Sequence, residues 1–398
     1  MRITIIGSGI VGLATAYKLL RSERPPEVVV VDKEPHVGAH QSGHNSGVLH
    51  CGLHYRPGSL KAKLAVAGIR EMIEFCQEHD VAFEQCGKLV VAVDESELER
   101  LAELERRGQA NGLNGLRRLS REEILEREPH VAGIDGLLVP EEGLVDFPAV
   151  CRALASEIER LGGEIRLGEE VIDLVRDGTG WHVATDRGAH DCDYVVSCAG
   201  LFADRVAKMA GFRPPMAIVP FRGEYYRVNE QREHLVRHLI YPVPDPSFPF
   251  LGVHLHRRIA GGVEGGPTAV LAAAREGYRF RNVHAGDLLD ALTTAGLWRF
   301  TARYPRMCIS ELHRSMSARA FAKALQRLVP ELELSDLEHD RAGVRAQGLT
   351  REGTLVEDFA FCQEPGALHV LNAPSPAATA SLAIGRHLAD MVASATSS

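Results

Sequence analysis

The stretch Arg2–Asp32, RITIIGSGIVGLATAYKLLRSERPPEVVVVD, decides the fold. Ile3, Ile5 and Ile6 make a short β-branched run, Leu13 to Leu20 has helical spacing, and Val28 to Val31 is the unbroken apolar run of a doubly buried strand. Between first strand and helix stands GSGIVG, Gly7 to Gly12, a G-x-G-x-x-G. Gly7 permits the tight turn, Gly9 lets the backbone approach a pyrophosphate, and Gly12 allows helix and strand to pack closely. The N-terminus of the helix then faces the phosphates. Asp32, closing the second strand, is placed to accept from ribose hydroxyls. A lone glycine triplet would be weak. Strand, helix, second strand and terminal acid in register predict dinucleotide binding.

Outward from this unit, helices are predicted over Leu60 to His79, Glu95 to Ala110, Asp146 to about Leu161, and most of Asp287 to Leu328. KLVVAV (Lys88–Val93), the alternating run Gly162–Gly188 and CDYVVSCAG (Cys192–Gly200) read as strands. Phe212 to about Pro249 is Pro-rich and irregularly strand-like, and Leu368–Ala393 reads as strand, Pro/Ser turn and long helix. The expected fold class is α/β, α+β overall, with a Rossmann-type cofactor domain interleaved with a mixed-sheet substrate-binding domain. The first would take 1–85, 146–212 and 340–398, the second 86–145 and 213–339.

Composition narrows the function. The 398 residues carry a net charge of −8, which excludes a nucleic-acid binder and requires any anionic substrate to be drawn in by a local cationic pocket. Eight scattered cysteines without a C-x-x-C pair argue against disulfides or structural zinc and for a reducing compartment. The N-terminus does not read as a signal peptide, and no apolar stretch reaches the roughly 18 residues of a spanning helix. A cytoplasmic location is expected. Peripheral contact with the inner face of the cell membrane stays open, because Asp287–Leu328 mixes Leu and Trp298 with Arg and Lys. Packing on the substrate domain is the preferred use of that segment.

An N-terminal fingerprint with a second strand–loop–helix far downstream favours FAD over NAD, since a flavin must be held at both ends. The late helix can aim its positive N-terminus at the pyrimidine edge of the ring. NAPSPAATA, Asn372–Ala380, suits that turn, with Ser375, Pro376 and Thr379 as contacts. The loop HQSGHNSGVLHCGLHY, His40–Tyr55, carries four histidines in sixteen residues. His40 and His44 are spaced like metal ligands, but Ser42, Gly43, Asn45, Ser46 and Gly47 make a poor helix and no third ligand fits, so no metal is expected. The loop is instead placed along the cofactor, with Ser42, Asn45 and Ser46 as donors and His50 and Tyr55 near the reacting flavin nitrogen. His36 and His40 are expected to be solvated.

HQSGHNSGVLHCGLHYRPGSLKAKL, PFRGEYY, YPVPDPSFPFLGVHLHRR, REGYR, AGVRAQ and LHVLNAPSPAATASLAIG resemble the L-2-hydroxyglutarate dehydrogenase/oxidase family, within the D-amino-acid-oxidase-like flavoproteins. The likeness runs from about Ile3 to Met391. It implies FAD-dependent oxidation of L-2-hydroxyglutarate to 2-oxoglutarate, with oxygen or a membrane quinone as acceptor. Val171, Ala199 and Gly200 are counted with the cofactor contacts. Four positions depart from the family pattern: Asp32 stands where Glu is usual, which preserves the chemistry, while in the stretch 264–274 Thr268 and Ala274 replace an Asn and a Lys, and Glu264 adds an acid. If that Lys touched the distal carboxylate, substrate choice is affected.

Such a reaction moves the C2 hydrogen to flavin as hydride while a base takes the hydroxyl proton, a task that suits His. His50 and His254 are the candidates, with His44 third. Arg345 stands at the position of the superfamily's carboxylate-binding Arg, immediately before a late strand, and its planar fork suits a carboxylate. Tyr55 and Tyr241 are candidate donors, and Arg222 reads as a structural partner of Glu224. Strand alternation puts His254 and His256 on one face, Leu255 and Arg257 on the other. The rival readings are a flavoenzyme for another 2-hydroxy acid or an amino acid, and a flavin-binding protein without turnover. LHCGLHY is also similar to a segment of glycerol-3-phosphate dehydrogenases.

Overall fold

The computed structural model describes residues 1–246 and 250–396. Residues 247–249, inside the Pro-rich stretch and one of the family-like motifs, lie outside the described residues.

The Arg2–Asp32 unit forms as its pattern requires. Strands Arg2–Ile6 and Glu27–Asp32 pair in parallel around helix Ile10–Leu20, and Val28 to Val31 are all buried. They sit in a six-stranded sheet with Glu164–Leu167 at one edge; on the other side follow Tyr194–Ser197, Ala367–Asn372 and Ala360–Glu364. Every pairing is parallel except the last, so buried apolar runs rather than alternation mark the inner strands.

Helix Ile10–Leu20 is covered by helices Phe147–Arg160 and Ser381–Thr396. The last comes close because Gly385 has no side chain: a Cβ there would lie 2.6 Å from the carbonyl of Ala14. Sequence segments more than 360 residues apart thus form one layer.

The second sheet is mixed and larger. Its spine is the antiparallel pair Met216–Val228 and Leu337–Thr350, paired from Met216 opposite Thr350 to Val228 opposite Leu337 with a register shift between Glu224 and Tyr226. This corrects the irregular reading of Phe212–Pro249. Pro220 and three charged side chains concealed a 13-residue strand. Pro220 breaks no rung between the two spines, because its carbonyl accepts from Ala272 N and the opposite Ala346 N–H goes to Gln41. The pairing also places residue 340 inside the second sheet, so the expected boundary there cuts a strand. The six-stranded sheet is rejoined only at Ala360.

Over this sheet lie four short helices, Ala285–Thr293, Ala295–Arg303, Pro305–Met316 and Ala318–Gln326. Leu297, Phe300 and Met307 pack inward on Val219, Phe221 and Leu349, which is the packing the sequence suggested. Their outer face keeps Leu289, Trp298, Ile309 and Met316 in solvent. Among the described residues no helix is long and apolar enough to cross a membrane.

The contact at Gly385 gives a direct test. Gly385→Val is expected to overpack the helix pair and lower stability by about 1–3 kcal/mol, seen as a lower midpoint in thermal melting. An unchanged melting curve would contradict the close approach.

Candidate active site

One cavity of about 1200 Å³ runs between the two sheets. Gly7, Gly9, Asp32 and Val171 line one end; His50, Arg345 and the turn Asn372–Thr379 line the other. Gly7 has φ +109°, and a Cβ there would lie 2.5 Å from the Cys198 carbonyl. At Gly12 a Cβ would lie 2.0 Å from the Gly7 carbonyl oxygen, so helix and turn touch. Gly9 precedes the helix with no side chain in the way, leaving room for a pyrophosphate at the helix N-terminus.

Asp32 lines this end and also braces the turn. One carboxylate oxygen accepts from Ser8 N (2.6 Å) and Ser8 Oγ (2.8 Å), the other from Glu34 N (2.9 Å). The oxygen that takes only Glu34 N retains a lone pair for a ribose hydroxyl. Two residues expected to donate to the cofactor are otherwise engaged. Ser42 Oγ accepts from Ile10 N at 2.9 Å, so it caps the first helix. Asn45 spends its amide on Gln41 and Ser42 carbonyls and its oxygen on Gly47 N, folding the loop itself. Both still line the cavity, as do Ser46, Ala199, Gly200, Ser375 and Pro376. A dinucleotide turn at one end and a helix-opening turn of small residues at the other fit FAD. When bound, that group supplies a hydride acceptor.

His40 is not the solvated residue expected. It bonds Glu34 (2.9 Å), Glu276 (2.8 Å) and the Tyr278 hydroxyl (2.9 Å), with Lys33 Nζ 2.6 Å from Glu276. Burial opposes its charge, but Glu276 and Glu34 raise its pKa above the ordinary histidine value. His44 bonds the Ala342 carbonyl through Nδ1 (3.3 Å) and stacks on Tyr278 at 4.0 Å. Burial lowers its pKa.

At the other end, three segments converge. Strand Val48–Leu49 pairs with Gly143–Val145, Leu49 facing Gly143, so the next pair outward is His50 and Glu142. The Thr379 hydroxyl donates to Val48 O (3.4 Å) and accepts from His50 N (3.2 Å), tying this loop to the late turn. His50 Nδ1–H donates to Glu142 at 3.4 Å, which leaves Nε2 free. Glu142 also meets the wholly buried Lys88 ammonium at 2.7 Å. Burial alone would raise the Glu142 carboxyl; Lys88 and then His50 hold it well below the usual carboxylate range.

His254 donates from Nδ1 to the Gly252 carbonyl (3.2 Å), its ring stacks on Tyr241 at 3.9 Å, and its buried Nε2 has no partner among the described residues. Burial, followed by the charges of His256, His50 and Arg345, pushes its pKa well below the ordinary value. The alternation of the strand holds, with His254 and His256 rings 5.4 Å apart, but only His254 lines the cavity. Burial pushes the phenols of Tyr241 and Tyr55 up, so both stay donors.

Arg345 lies inside strand Leu337–Thr350, opposite Phe221, rather than before a strand. Its guanidinium is 5.6 Å from the Phe250 ring, and among the described residues it has no carboxylate partner. Burial lowers its pKa. Arg222, by contrast, is 3.2 Å from Glu224 and off the cavity wall. The departures from the family pattern in the stretch 264–274 are also off the wall. Glu264 pairs with His256 at 2.9 Å, Thr268 Oγ accepts from Glu224 N at 3.1 Å, and Ala274 is buried. Lys88 and Glu142 are the residues the sequence did not reveal.

The family model of FAD-dependent oxidoreductases matches residues 2–391. An L-2-hydroxyglutarate dehydrogenase from Indibacter alkaliphilus is 45% identical over 96% of this chain and 96% of its own. One from Escherichia coli K12 is 42% identical over 98% and 92%, and the human mitochondrial one 41% over 98% and 88%. In fold, the chain is similar to an L-α-glycerophosphate oxidase from Mycoplasma pneumoniae solved with FAD bound, with TM-score 0.79, 24% identity, and coverage of 98% and 94%. It is also similar to a glycine oxidase from Geobacillus kaustophilus, with TM-score 0.72, 20% identity, and coverage of 99% and 95%. A cavity built for FAD, walled by histidines and a buried arginine and matched from residue 2 to 391, places this chain in the FAD-dependent oxidoreductase family, among the L-2-hydroxyglutarate dehydrogenases.

Proposed function

We propose that this chain oxidises L-2-hydroxyglutarate to 2-oxoglutarate. The observation that carries the reading is Arg345, a guanidinium on the cavity wall with no carboxylate of its own. A buried cation without a partner is costly, and a substrate carboxylate supplies one that matches its fork. His50 serves as base through the free Nε2. It suits the role better than His254 because a proton gained at His50 is stabilised by Glu142 at 3.4 Å. A proton at His254 would face His256, His50 and Arg345. Neutral His254 instead accepts a hydrogen bond at Nε2, and Tyr241 and Tyr55 donate to the substrate's oxygens. The names of the relatives support the choice of 2-hydroxyglutarate.

The experiment is anaerobic mixing of the FAD-loaded protein with each enantiomer, following the visible flavin absorbance. Bleaching by L alone is expected. Bleaching by glycine, proline or glycerol phosphate and not by L-2-hydroxyglutarate would replace this reading. Arg345→Met is expected to lower kcat/KM roughly 100-fold, the loss of about 3 kcal/mol from one desolvated charge pair, with the folded melting curve retained. His50→Asn should abolish the slow proton transfer while leaving substrate binding measurable.

For the acceptor, the reading is a quinone reached at a membrane surface. Its support is the helical face carrying Leu289, Trp298, Ile309, Leu312 and Met316 in solvent, with Arg299, Arg303 and Arg306 exposed beside them. Apolar side chains ringed by arginines suit an anionic bilayer. Vesicles containing phosphatidylglycerol should sediment the protein and shift Trp298 fluorescence to the blue, and Trp298→Ser with Ile309→Ser should abolish both. Equal sedimentation of the double variant would remove this surface from consideration.

A further inference from the structure

We infer that Glu142 and Lys88 are positioning residues that together fix the tautomer of His50 and set its affinity for the substrate's proton. The inference rests on His50 being the base. It starts from register: Leu49 facing Gly143 brings Glu142 across from His50 without any help from the cofactor. Glu142 is fully buried, and its two oxygens have different tasks. Oε1 faces Cys51, at 3.4 Å from both N and Sγ, which fixes the carboxylate plane. Oε2 takes His50 Nδ1–H at 3.4 Å and Lys88 Nζ at 2.7 Å. A carboxylate at Nδ1 forces the other ring nitrogen to be the unprotonated one, which a base needs.

The Lys88 ammonium is as important as the acid. It donates to Glu142 and to His54 Nε2 (3.2 Å), and it lies 5.0 Å from the Tyr241 ring. A buried carboxylate alone beside an imidazole would favour the imidazolium and leave the base already protonated at neutral pH. Lys88 offsets that pull, so the pair carries no net charge until substrate gives up its proton. The other titratable groups around His50 are Cys51 and His54 on its own loop, Arg107 at the His54 carbonyl, Tyr55, Tyr241, and His254 with Arg345 behind it. Of the neighbouring groups in this set, only Glu142 bonds the His50 ring.

The test reads the acidic limb of kcat/KM against pH together with the His50 imidazole in ¹⁵N-histidine spectra of the FAD-loaded protein, assigned by difference from His50→Asn. In the wild type the spectrum should show the Nδ1–H tautomer. Glu142→Gln should move the acidic limb down, and Lys88→Met should move it up, each by about one pH unit. If Lys88→Met fails to fold with an unpaired acid inside, the neutral pair Lys88→Met/Glu142→Gln takes its place and should return the limb from its Glu142→Gln position toward that of the wild type. A merely structural pair would lower activity without moving the limb, and certainly without opposite signs. An Nε2–H tautomer in the wild type, or limbs that do not move, would overturn the inference while an inactive His50→Asn kept the base reading intact. A fully active His50→Asn would overturn the base reading itself.

Discussion

The seating of helix Ser381–Thr396 on helix Ile10–Leu20 is the constraint on which the rest depends. At Gly385 the two backbones come within the space a single methyl would fill. That contact delivers the turn Asn372–Thr379 to the loop Val48–His50, and the Thr379 hydroxyl then bonds that loop at both Val48 O and His50 N. From the other side, the spine strand Leu337–Thr350 brings Arg345 to the same cavity. Backbone pairing and helix contact thus determine the site before any polar side chain is considered.

Three arginines around the second sheet are paired within the protein. Arg275 meets Asp204 at 2.5 Å, Arg222 meets Glu224 at 3.2 Å, and Arg341 bonds Glu264 at 3.0 Å through Nε. Each of these charges is compensated within the protein, as buried charges must be. Arg345 is the contrast, packed against Phe250 and open to the cavity. Among the described residues no carboxylate compensates it, which is the support for the carboxylate-binding role proposed for Arg345. The same rule, applied to Lys88 and Glu142, gives a neutral pair that can lie against a base without forcing a proton onto it.

How much of this was legible in the sequence differed with the kind of signal. The Arg2–Asp32 unit was plain because periodicity, glycines and a terminal acid are all local. His50, His254 and the late Pro/Ser turn were visible as chemistry without a place. Strand Met216–Val228 was hidden because Arg222, Glu224 and Arg227 interrupt its apolar pattern, Arg222 pairing with Glu224 two residues along and Glu224 also taking Ser315 from a helix far along the chain. Glu142 was hidden for a subtler reason. It stands beside Glu141, an ordinary partly exposed acid, and nothing local tells which of the two turns inward. Lys88 likewise reads as a charge at the mouth of an apolar strand. Only the pairing of Val48–Leu49 with Gly143–Val145 makes that distinction. Ser42 and Asn45 looked like ligand donors because small polar residues in a loop serve caps and cofactors equally well.

The hydroxyl of Thr379 has one more consequence. It closes on His50 N across 329 positions of sequence. While the chain is being made, the glycine turn is therefore ready long before the far wall of the cavity exists. The loop Val48–His50 lacks its bonds to the Thr379 hydroxyl until residue 379 has been made. The wall of the cavity that faces the glycine turn is thus the last part of it that synthesis can complete.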